Sequence, residues 1–356
     1  MRISFLLSSL WLSGGVRVIV EYASRLTRRG HDITLVIPRD TGDADMTREL
    51  DPRVTIRESQ VPRRERMSIG EMVRLSWSMA RRVPDSDVVV STHTPTTMAG
   101  LVATRLWRRG RPIWLYQDFR EMFVGRPYQD WLLRHALLWH DRALVVSDYS
   151  RQELLTYSAG DIVVVGEGLS HSDIFKPLPA EKRTSTNNQQ TILFLGDMRA
   201  RKGLFDFLKA AEIVYEHLKD IRLLIVSKEV CDIESAVPYD YVYRPSRARL
   251  ARLYATCDLF VSASWRESFG LPPLEALACG APVVLTDSGG VREYARPGEN
   301  CLMVPTRAPE TLSEAMLRVL SDSSLARQLR RSGPPTAKNF TWPEAVDRFE
   351  QALNHC

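Results

Sequence analysis

The sequence predicts an α/β protein of two domains, each built on a parallel sheet wrapped by helices. Three observations lead there. Apolar, strand-like runs alternate with helical periodicities along the whole chain, the pattern of consecutive βα units. The alternation occurs twice, broken by one polar run, Glu181-Lys182-Arg183-Thr184-Ser185-Thr186-Asn187-Asn188-Gln189-Gln190, which reads as a linker. Finally, 356 residues exceed what one hydrophobic core usually organises.

In chain order, Met1 to Leu10 supplies a first strand over 2–10. The same residues resemble the apolar part of a signal peptide, but only one basic residue precedes them and no small-x-small cleavage site follows. Gly14-Gly15 follows instead, in a turn ahead of a helical pattern over 16–29 that ends at Gly30. Further strands are expected at 32–38, 87–92, 112–116, 142–147 and 161–165. Helices over 68–82, 95–109, 127–140 and 148–158 separate them. The second half repeats the scheme, with strands at 191–196, 221–226, 239–243, 258–262, 282–285 and 301–304. Its helices fall at 203–217, 246–256, 271–279 and 308–320, and helices over 324–332 and 342–354 close the chain. The domains are expected at 1–180 and 191–335, with 336–356 as a terminal helical segment.

Composition fits a globular protein, 44% hydrophobic and 26% charged, without a low-complexity tract. No run of twenty apolar residues is present, so no membrane span is expected and the location is read as cytoplasmic. The five cysteines are odd in number, scattered and without metal-ligand spacing; Cys257, Cys279 and Cys301 read as small core residues. The net charge of +5 is uneven: residues 1–185 hold 27 Lys and Arg against 22 Asp and Glu, while 186–356 hold 21 of each. The first-half excess, with Arg63-Arg64-Glu65-Arg66 and Arg81-Arg82, reads as solvated faces. Its sharper reading is attraction to anionic lipid headgroups or a phosphorylated acceptor. The arginines are dispersed and no nucleic-acid motif accompanies them, so no nucleic-acid partner is expected.

The most informative stretch is Glu267-Ser268-Phe269-Gly270-Leu271-Pro272-Pro273-Leu274-Glu275. Its Pro-Pro opens a helix after a strand and loop, which places Glu267 before the helix and Glu275 about one turn inside it. The amides of Phe269, Gly270 and Leu271 then lie at a helix N-terminus, where unpaired N–H groups and the helix dipole favour phosphate. Carboxylates on both sides of an anion site suit a ligand with hydroxyls on both sides of a diphosphate. A nucleotide sugar has that chemistry.

The same stretch, from Ser264-Trp265-Arg266 through Ala276-Leu277-Ala278-Cys279-Gly280-Ala281-Pro282-Val283-Val284, closely resembles the retaining glycosyltransferases of family 4. Gly289-Gly290-Val291-Arg292-Glu293 and Gly298-Glu299-Asn300 continue the likeness, which is strong over 190–350 and looser before. The resemblance implies the GT-B fold: two facing Rossmann-like domains, a ligand cleft between them, and a last helix returning to the first domain. It implies that Glu275 binds the ribose and Glu267 the donor sugar. In Gly196-Asp197-Met198-Arg199-Ala200-Arg201-Lys202-Gly203, Lys202 matches the family lysine that meets the diphosphate. Asp197 stands where relatives carry arginine, so Arg199 or Arg201 is expected to replace it, Arg199 first. Gly14 and Gly15 are expected near donor phosphate and acceptor, and Arg244 near the nucleobase.

Gln117-Asp118-Phe119 departs from the family, which often has histidine at the Gln117 position, and resembles a subset containing bacterial rhamnosyltransferases. Glutamine exchanges no protons, so Gln117 is assigned to binding a sugar hydroxyl or the acceptor, and Asp118 to orienting the acceptor or capping the next segment. His93, at a strand end, is a further candidate. The triplets Asp43-Ala44-Asp45 and Asp85-Ser86-Asp87 lack a strand-end setting, so no metal and no cofactor beyond the nucleotide-sugar substrate is expected. The acceptor is expected to be a glycan, a lipid-linked or a small-molecule hydroxyl. Segments 69–83 and 131–139 are rich in Trp, Leu and Met; they read as core, with peripheral membrane contact as the alternative. Competing functions are a nucleotide-sugar epimerase of the same fold and a non-catalytic glycan-binding subunit. A dinucleotide oxidoreductase would need Gly-x-Gly-x-x-Gly, which Ser13-Gly14-Gly15-Val16-Arg17 does not supply.

Overall fold

The computed structural model describes residues 1–64, 66–157, 159–179, 189–230 and 232–354. Residues 181–188 of the expected linker, Glu65, Cys231 and Cys356 lie outside the described residues. The chain forms two compact units, Met1–Gly168 with Trp342–Cys356, and Leu169–Thr341.

The first unit holds strands β1 (Arg2–Leu6), β2 (Asp32–Arg39), β3 (Thr55–Pro62), β4 (Val88–Ser91), β5 (Arg111–Tyr116), β6 (Arg142–Val145) and β7 (Ile162–Val164). They form one parallel sheet in the order β3-β2-β1-β4-β5-β6-β7, with Phe5 paired to Leu35 on one side and Val90 on the other. The helices are α1 (Gly14–Arg28), α2 (Ala44–Glu49), α3 (Ile69–Arg82), α4 (Thr97–Leu101), α5 (Pro127–Trp139) and α6 (Asp148–Leu155). Helices cover the sheet, so its central strands are apolar throughout rather than alternating.

Local chemistry sets the ends. Ser13 accepts from Val16 N at the start of α1, and Gly30 stops it in a left-handed conformation, with His31 N donating back to Leu26 O. Ser68 and Glu71 close a capping box on α3. Two elements escape the sequence reading. The region around Asp43 is not a plain polar loop: Asp43 caps α2, accepting from Asp45 N at 2.9 Å and Met46 N at 3.1 Å. Strand β3 lies at a sheet edge with a mostly exposed, polar sequence. The first strand ends at Leu6, not near 10; Leu7 and Leu10 remain buried in a loop held by Val36 O and Thr41 O. The helix expected over 95–109 is a 3-10 turn, then α4, then a π turn over Val102–Leu106.

The second unit holds β8 (Gln190–Leu195), β9 (Ile221–Ser227), β10 (Tyr239–Tyr243), β11 (Leu259–Ser262), β12 (Val283–Thr286) and β13 (Leu302–Val304), parallel in the order β10-β9-β8-β11-β12-β13. Helices α7 (Leu204–His217), α8 (Arg247–Thr256), α9 (Leu271–Ala278), α10 (Pro309–Ser321) and α11 (Ser323–Ala337) accompany them. Phe194 stacks on Phe207 at 4.5 Å in a core shared by β8, β9, β11, α7 and α10. The expected helix 324–332 continues to Ala337 through Pro334 and Pro335. Gly333 lets α11 press on α9, since a Cβ there would lie 2.8 Å from Leu277 O. Asn300 Nδ2 further donates to Thr336 Oγ1 at 3.1 Å.

The chain then returns to the first unit as α12 (Trp342–Asn354). Tyr22 of α1 sits between Trp342, at 5.1 Å, and Phe349, at 4.6 Å. Arg348 Nε donates to Val165 O at 2.9 Å. The divisions fall at Gly168 and Thr341, earlier and later than the expected 180 and 335. Leu169 N donates to Phe340 O at 2.9 Å, which ties the residues after 168 and before 342 to the second unit. Cys257, Cys279 and Cys301 are buried free thiols.

Candidate active site

In each sheet the strand order reverses direction at one place, β1/β4 in the first unit and β8/β11 in the second. Ligands of open parallel sheets bind beyond the carboxyl ends of the strands at such a point. Gly14, Gly15 and His93 follow β1 and β4, and Lys202 and Glu267 follow β8 and β11, whereas Gln117 and Asp118 follow β5 and Arg244 follows β10.

In the second unit the loop after β8 forms a 3-10 turn, Ala200–Lys202, and the loop after β11 carries Glu267. Lys202 Nζ lies 2.6 Å from Glu267 Oε1, and both side chains are only 14% exposed. Arg201 Nη1 lies 3.7 Å from Glu267 Oε2. The backbone fixes this pair. Trp265 N donates to Arg201 O at 2.7 Å, Glu267 N to Ser288 O at 2.8 Å, and Gly290 N to Glu267 O at 2.9 Å. Three loops are thus stitched together, and glycine is required where they touch. Gly203 has φ +67°, and a Cβ there would lie 1.9 Å from Ala263 O. A Cβ at Gly290 would lie 2.2 Å from Ser268 O. Burial pushes the Glu267 carboxyl up, but Lys202, Arg201 and a hydrogen bond from Ser264 outweigh it, leaving it below the usual range.

Arg199, expected at the diphosphate, pairs with Asp197 of the same loop, close enough to Glu267 for the two charges to interact. Its Nε and Nη2 bind both oxygens of Asp197 at 2.7 and 2.5 Å, and its amide donates to Asp197 Oδ1 at 3.1 Å. A planar guanidinium two residues from a carboxylate closes this bidentate ring readily. Burial pushes the Asp197 carboxyl up, but Arg199 brings it net below the usual range. The second cation paired with Glu267 is Arg201. A further lysine, Lys228, follows β9; burial lowers its pKa, as do the nearby charges of Arg199 and Lys202. Sequence reasoning passed over Lys228, although its place just after the strand beside β8 is itself a signal.

Glu275 is buried in α9, where Tyr254 OH donates to it at 3.3 Å. Gly270, at φ +90°, caps α9. Pro272 and Pro273 have no N–H, so the donors of this terminus are those of Leu271 and the residues before it. The Phe269 ring packs on Tyr294 and Phe340 at 5.6 and 5.9 Å, which leaves only its backbone for a ligand. Arg244 adopts φ +40°, donates to Lys228 O at 3.1 Å and lies over Tyr243.

In the first unit, His93 follows β4 and Gln117-Asp118 follow β5. Gly14 and Gly15 form the first turn of α1 rather than a preceding loop, and neither has positive φ. Gly15 instead permits close approach: a Cβ there would lie 3.4 Å from Gln117 Oε1 and 3.5 Å from His93 Nε2, whereas Gly14 faces open space. The His93 tautomer follows from its neighbours. Thr92 Oγ1 donates its one proton to Leu6 O at 2.8 Å, so its contact with His93 Nδ1 at 3.0 Å has the imidazole donating. His93 Nε2 is then an acceptor facing Gly15. Burial lowers the His93 pKa, against Asp118, and so favours the neutral ring. Asp118 Oδ2 accepts from Thr94 N at 2.6 Å, which fixes its carboxylate. Arg63 is exposed, as the sequence reading has it, and donates to Ser8 O at 3.0 Å while lying over Trp11. Its charge acts on His93 and Asp118.

The Asp-x-Asp triplets serve the fold: Asp43 caps α2 and Asp87 accepts from Arg2 N at 2.7 Å. Among the described residues no group of three or more His, Cys, Asp or Glu side chains is placed to hold a metal, and no helix is long and apolar enough to cross a membrane.

Comparison with known proteins matches both halves of the chain. The Glycosyltransferase Family 4 profile matches residues 12–172, and the profile "Glycosyl transferases group 1" matches 189–322. An uncharacterized glycosyltransferase of Methanocaldococcus jannaschii is 23% identical over 61% of this chain and 60% of its own length. A D-inositol 3-phosphate glycosyltransferase of Nocardiopsis dassonvillei is 24% identical over 97% of this chain and 90% of its own. Among solved structures, Anabaena HepE in complex with UDP-glucose superposes with a TM-score of 0.80 at 15% identity, over 100% of both chains. With two Rossmann-like sheets and both halves matched in chain order, the chain belongs to glycosyltransferase family 4, with the GT-B fold.

Proposed function

We propose that the protein transfers a sugar from a nucleotide-diphosphate sugar to an acceptor hydroxyl, with retention of anomeric configuration. The largely but not fully buried Lys202–Glu267 pair at the carboxyl ends of β8 and β11 carries this reading. A diphosphate arriving beside Lys202 competes for its ammonium and frees Glu267 to accept hydrogen bonds from the donor sugar's hydroxyls. Lys202 and Arg201 then meet the negative charge that grows on the leaving diphosphate, the electrostatic term that dominates such catalysis. Glu275, held by Tyr254, binds the ribose. These cations and the backbone donors before α9 balance the diphosphate, so the reaction needs no metal and proceeds in EDTA. The donor complex of HepE supports the donor class.

Acceptor recognition is assigned to the first unit. His93 Nε2, as an acceptor, takes a hydrogen bond from a hydroxyl approaching Gly15, and Gln117 holds a second one. Same-face attack on the anomeric carbon, with the proton passing to the departing phosphate, gives retention without a protein nucleophile. The acceptor is a glycan, lipid-linked or small-molecule hydroxyl of glycoconjugate assembly.

The test is thermal unfolding against uridine, guanosine, adenosine and thymidine diphosphates and their sugars. One base is expected to raise the melting temperature, because a ligand bound only to the folded state stabilises it. Glu275→Ala is expected to abolish that shift. No shift at millimolar ligand would sink the donor assignment. The anomer of the product, read by proton NMR, decides retention separately.

A further inference from the structure

Exposed large apolar side chains are concentrated on one layer of the first unit. Helices α3, α4 with its π turn, and α5 lie side by side there, and Gln129 Nε2 of α5 reaches Met72 Sδ of α3 at 3.1 Å. Ile69, Val73 and Trp77 recur every four residues along α3 and are 56%, 44% and 40% exposed. Leu106 on the π turn is 59% exposed, and Trp131 and Leu138 on α5 are 43% and 71% exposed. The tryptophans are braced from below. Trp77 packs edge-on against Trp107 at 5.2 Å, and Trp131 packs against Trp139 at 5.2 Å. Six large apolar side chains exposed on one helical layer contrast with the single, scattered exposures of an ordinary surface.

Charge on the same layer has one sign to spare. Residues 69–139 contain ten arginines against six acidic residues. Several of those acids are already committed: Asp130 to Arg120 and Arg134, Glu71 to the α3 cap, Asp87 to Arg2 and Asp118 to Thr94. Asp141, just beyond, is held by Arg105. Arg74, Arg81 and Arg108 are exposed and have no acidic partner among the described residues. We infer that this layer docks on an anionic lipid bilayer, its aromatic and aliphatic side chains entering the interface while the arginines meet the headgroups. Tryptophan suits that boundary because it joins a large apolar body to one polar N–H. Arginine flanks supply the attraction that a short apolar stripe lacks. The inference is independent of the donor chemistry proposed above.

Co-sedimentation of the full chain with vesicles tests it, using phosphatidylcholine alone and phosphatidylcholine with phosphatidylglycerol. The protein is expected to sediment with the anionic vesicles at low salt and to leave them as salt rises. Arg74→Gln and Arg108→Gln should each weaken partitioning roughly fivefold. Paired Trp77→Ser and Trp131→Ser should weaken it about tenfold or more. Leu106→Ser with Leu138→Ser, at more exposed positions, should do likewise with an unchanged thermal melt. Equal partitioning onto neutral and anionic vesicles, or none onto either, would overturn the inference. So would a soluble dimer that these apolar variants convert to monomer, because a second copy would then be what covers the face.

Discussion

Glu267 and Lys202 depend on each other for burial, which makes each substitution a stability experiment as well as an activity one. Removing one partner of a buried pair leaves the other uncompensated, at a cost of about 3–5 kcal/mol. Lys202→Met is therefore expected to destabilise the second unit by about 3 kcal/mol, with Arg201 softening the loss. Glu267→Gln combined with Lys202→Met should cost less than the two single changes added, a coupling that a double-mutant cycle in urea would read. On the chemical side, Lys202→Ala should lower kcat by about 100- to 1000-fold. Asp197 makes a sharper distinction. If it holds Arg199 away from the phosphates, Arg201→Ala should weaken nucleotide binding more than Arg199→Ala, and Asp197→Asn should strengthen it by releasing Arg199. The reverse order in calorimetry would return Arg199 to the diphosphate. His140 is a separate pH-sensitive site within the first unit. It contacts Ala136 O at 2.7 Å and Ser91 Oγ at 3.1 Å, and burial lowers its pKa to about 4. The unfolded chain binds this proton from pH 6.5 downwards while the folded chain resists it until about pH 4. Stability should thus fall across that window, by roughly 3 kcal/mol in all. His140→Gln should flatten this part of the melting-versus-pH curve.

At the scale of elements, the fold was legible wherever a buried strand or an amphipathic helix wrote its period into the sequence, as in β2, β9, α3 and α12. It was illegible where backbone pairing or local caps decide. Strand β3, Thr-Ile-Arg-Glu-Ser-Gln-Val-Pro, has few apolar residues because an edge strand needs its neighbour's backbone more than a core. The π turn after α4 differs from an α-helix by one residue per turn, which side-chain periodicity over one turn does not resolve. Site legibility split the same way. Glu267, Glu275 and Lys202 stood out by spacing and resemblance, whereas the Asp197–Arg199 ring and the place of Lys228 depend on how loops close. The glycines test the stitching of those loops. Gly203→Ala meets Ala263 O at positive φ and should destabilise by about 2–4 kcal/mol. Gly14→Ala, in open space within a helix, should stabilise by about 0.5–1 kcal/mol. Chemical denaturation of the two variants side by side gives both signs.

For the whole molecule, α12 is the element with the longest reach. It lies against α1, and beyond the contacts of Tyr22 and Arg348 its carbonyls at Ala352 and Leu353 accept from Arg142 Nη1 and Arg111 Nη2 at 2.6 Å each. Glu350 pairs with Arg29 and His31. A chain cut after Thr341 is expected to keep amide protection in β8 to β13 while losing it in β1 to β7, a contrast that hydrogen exchange resolves strand by strand. Full protection of β1 in the cut chain would show α12 to be dispensable.

That dependence gives biosynthesis a direction opposite to the sequence. Trp342–Asn354 leaves the ribosome only after residues 169–341 have been made, an interval of roughly ten to thirty seconds at bacterial or eukaryotic elongation rates. Throughout it, Tyr22 and Phe5 lack their aromatic cover, whereas by its end the later half has every strand it needs. The half that is translated first is thus the half that matures last, and nascent chains stalled before Trp342 would be the natural clients of a chaperone.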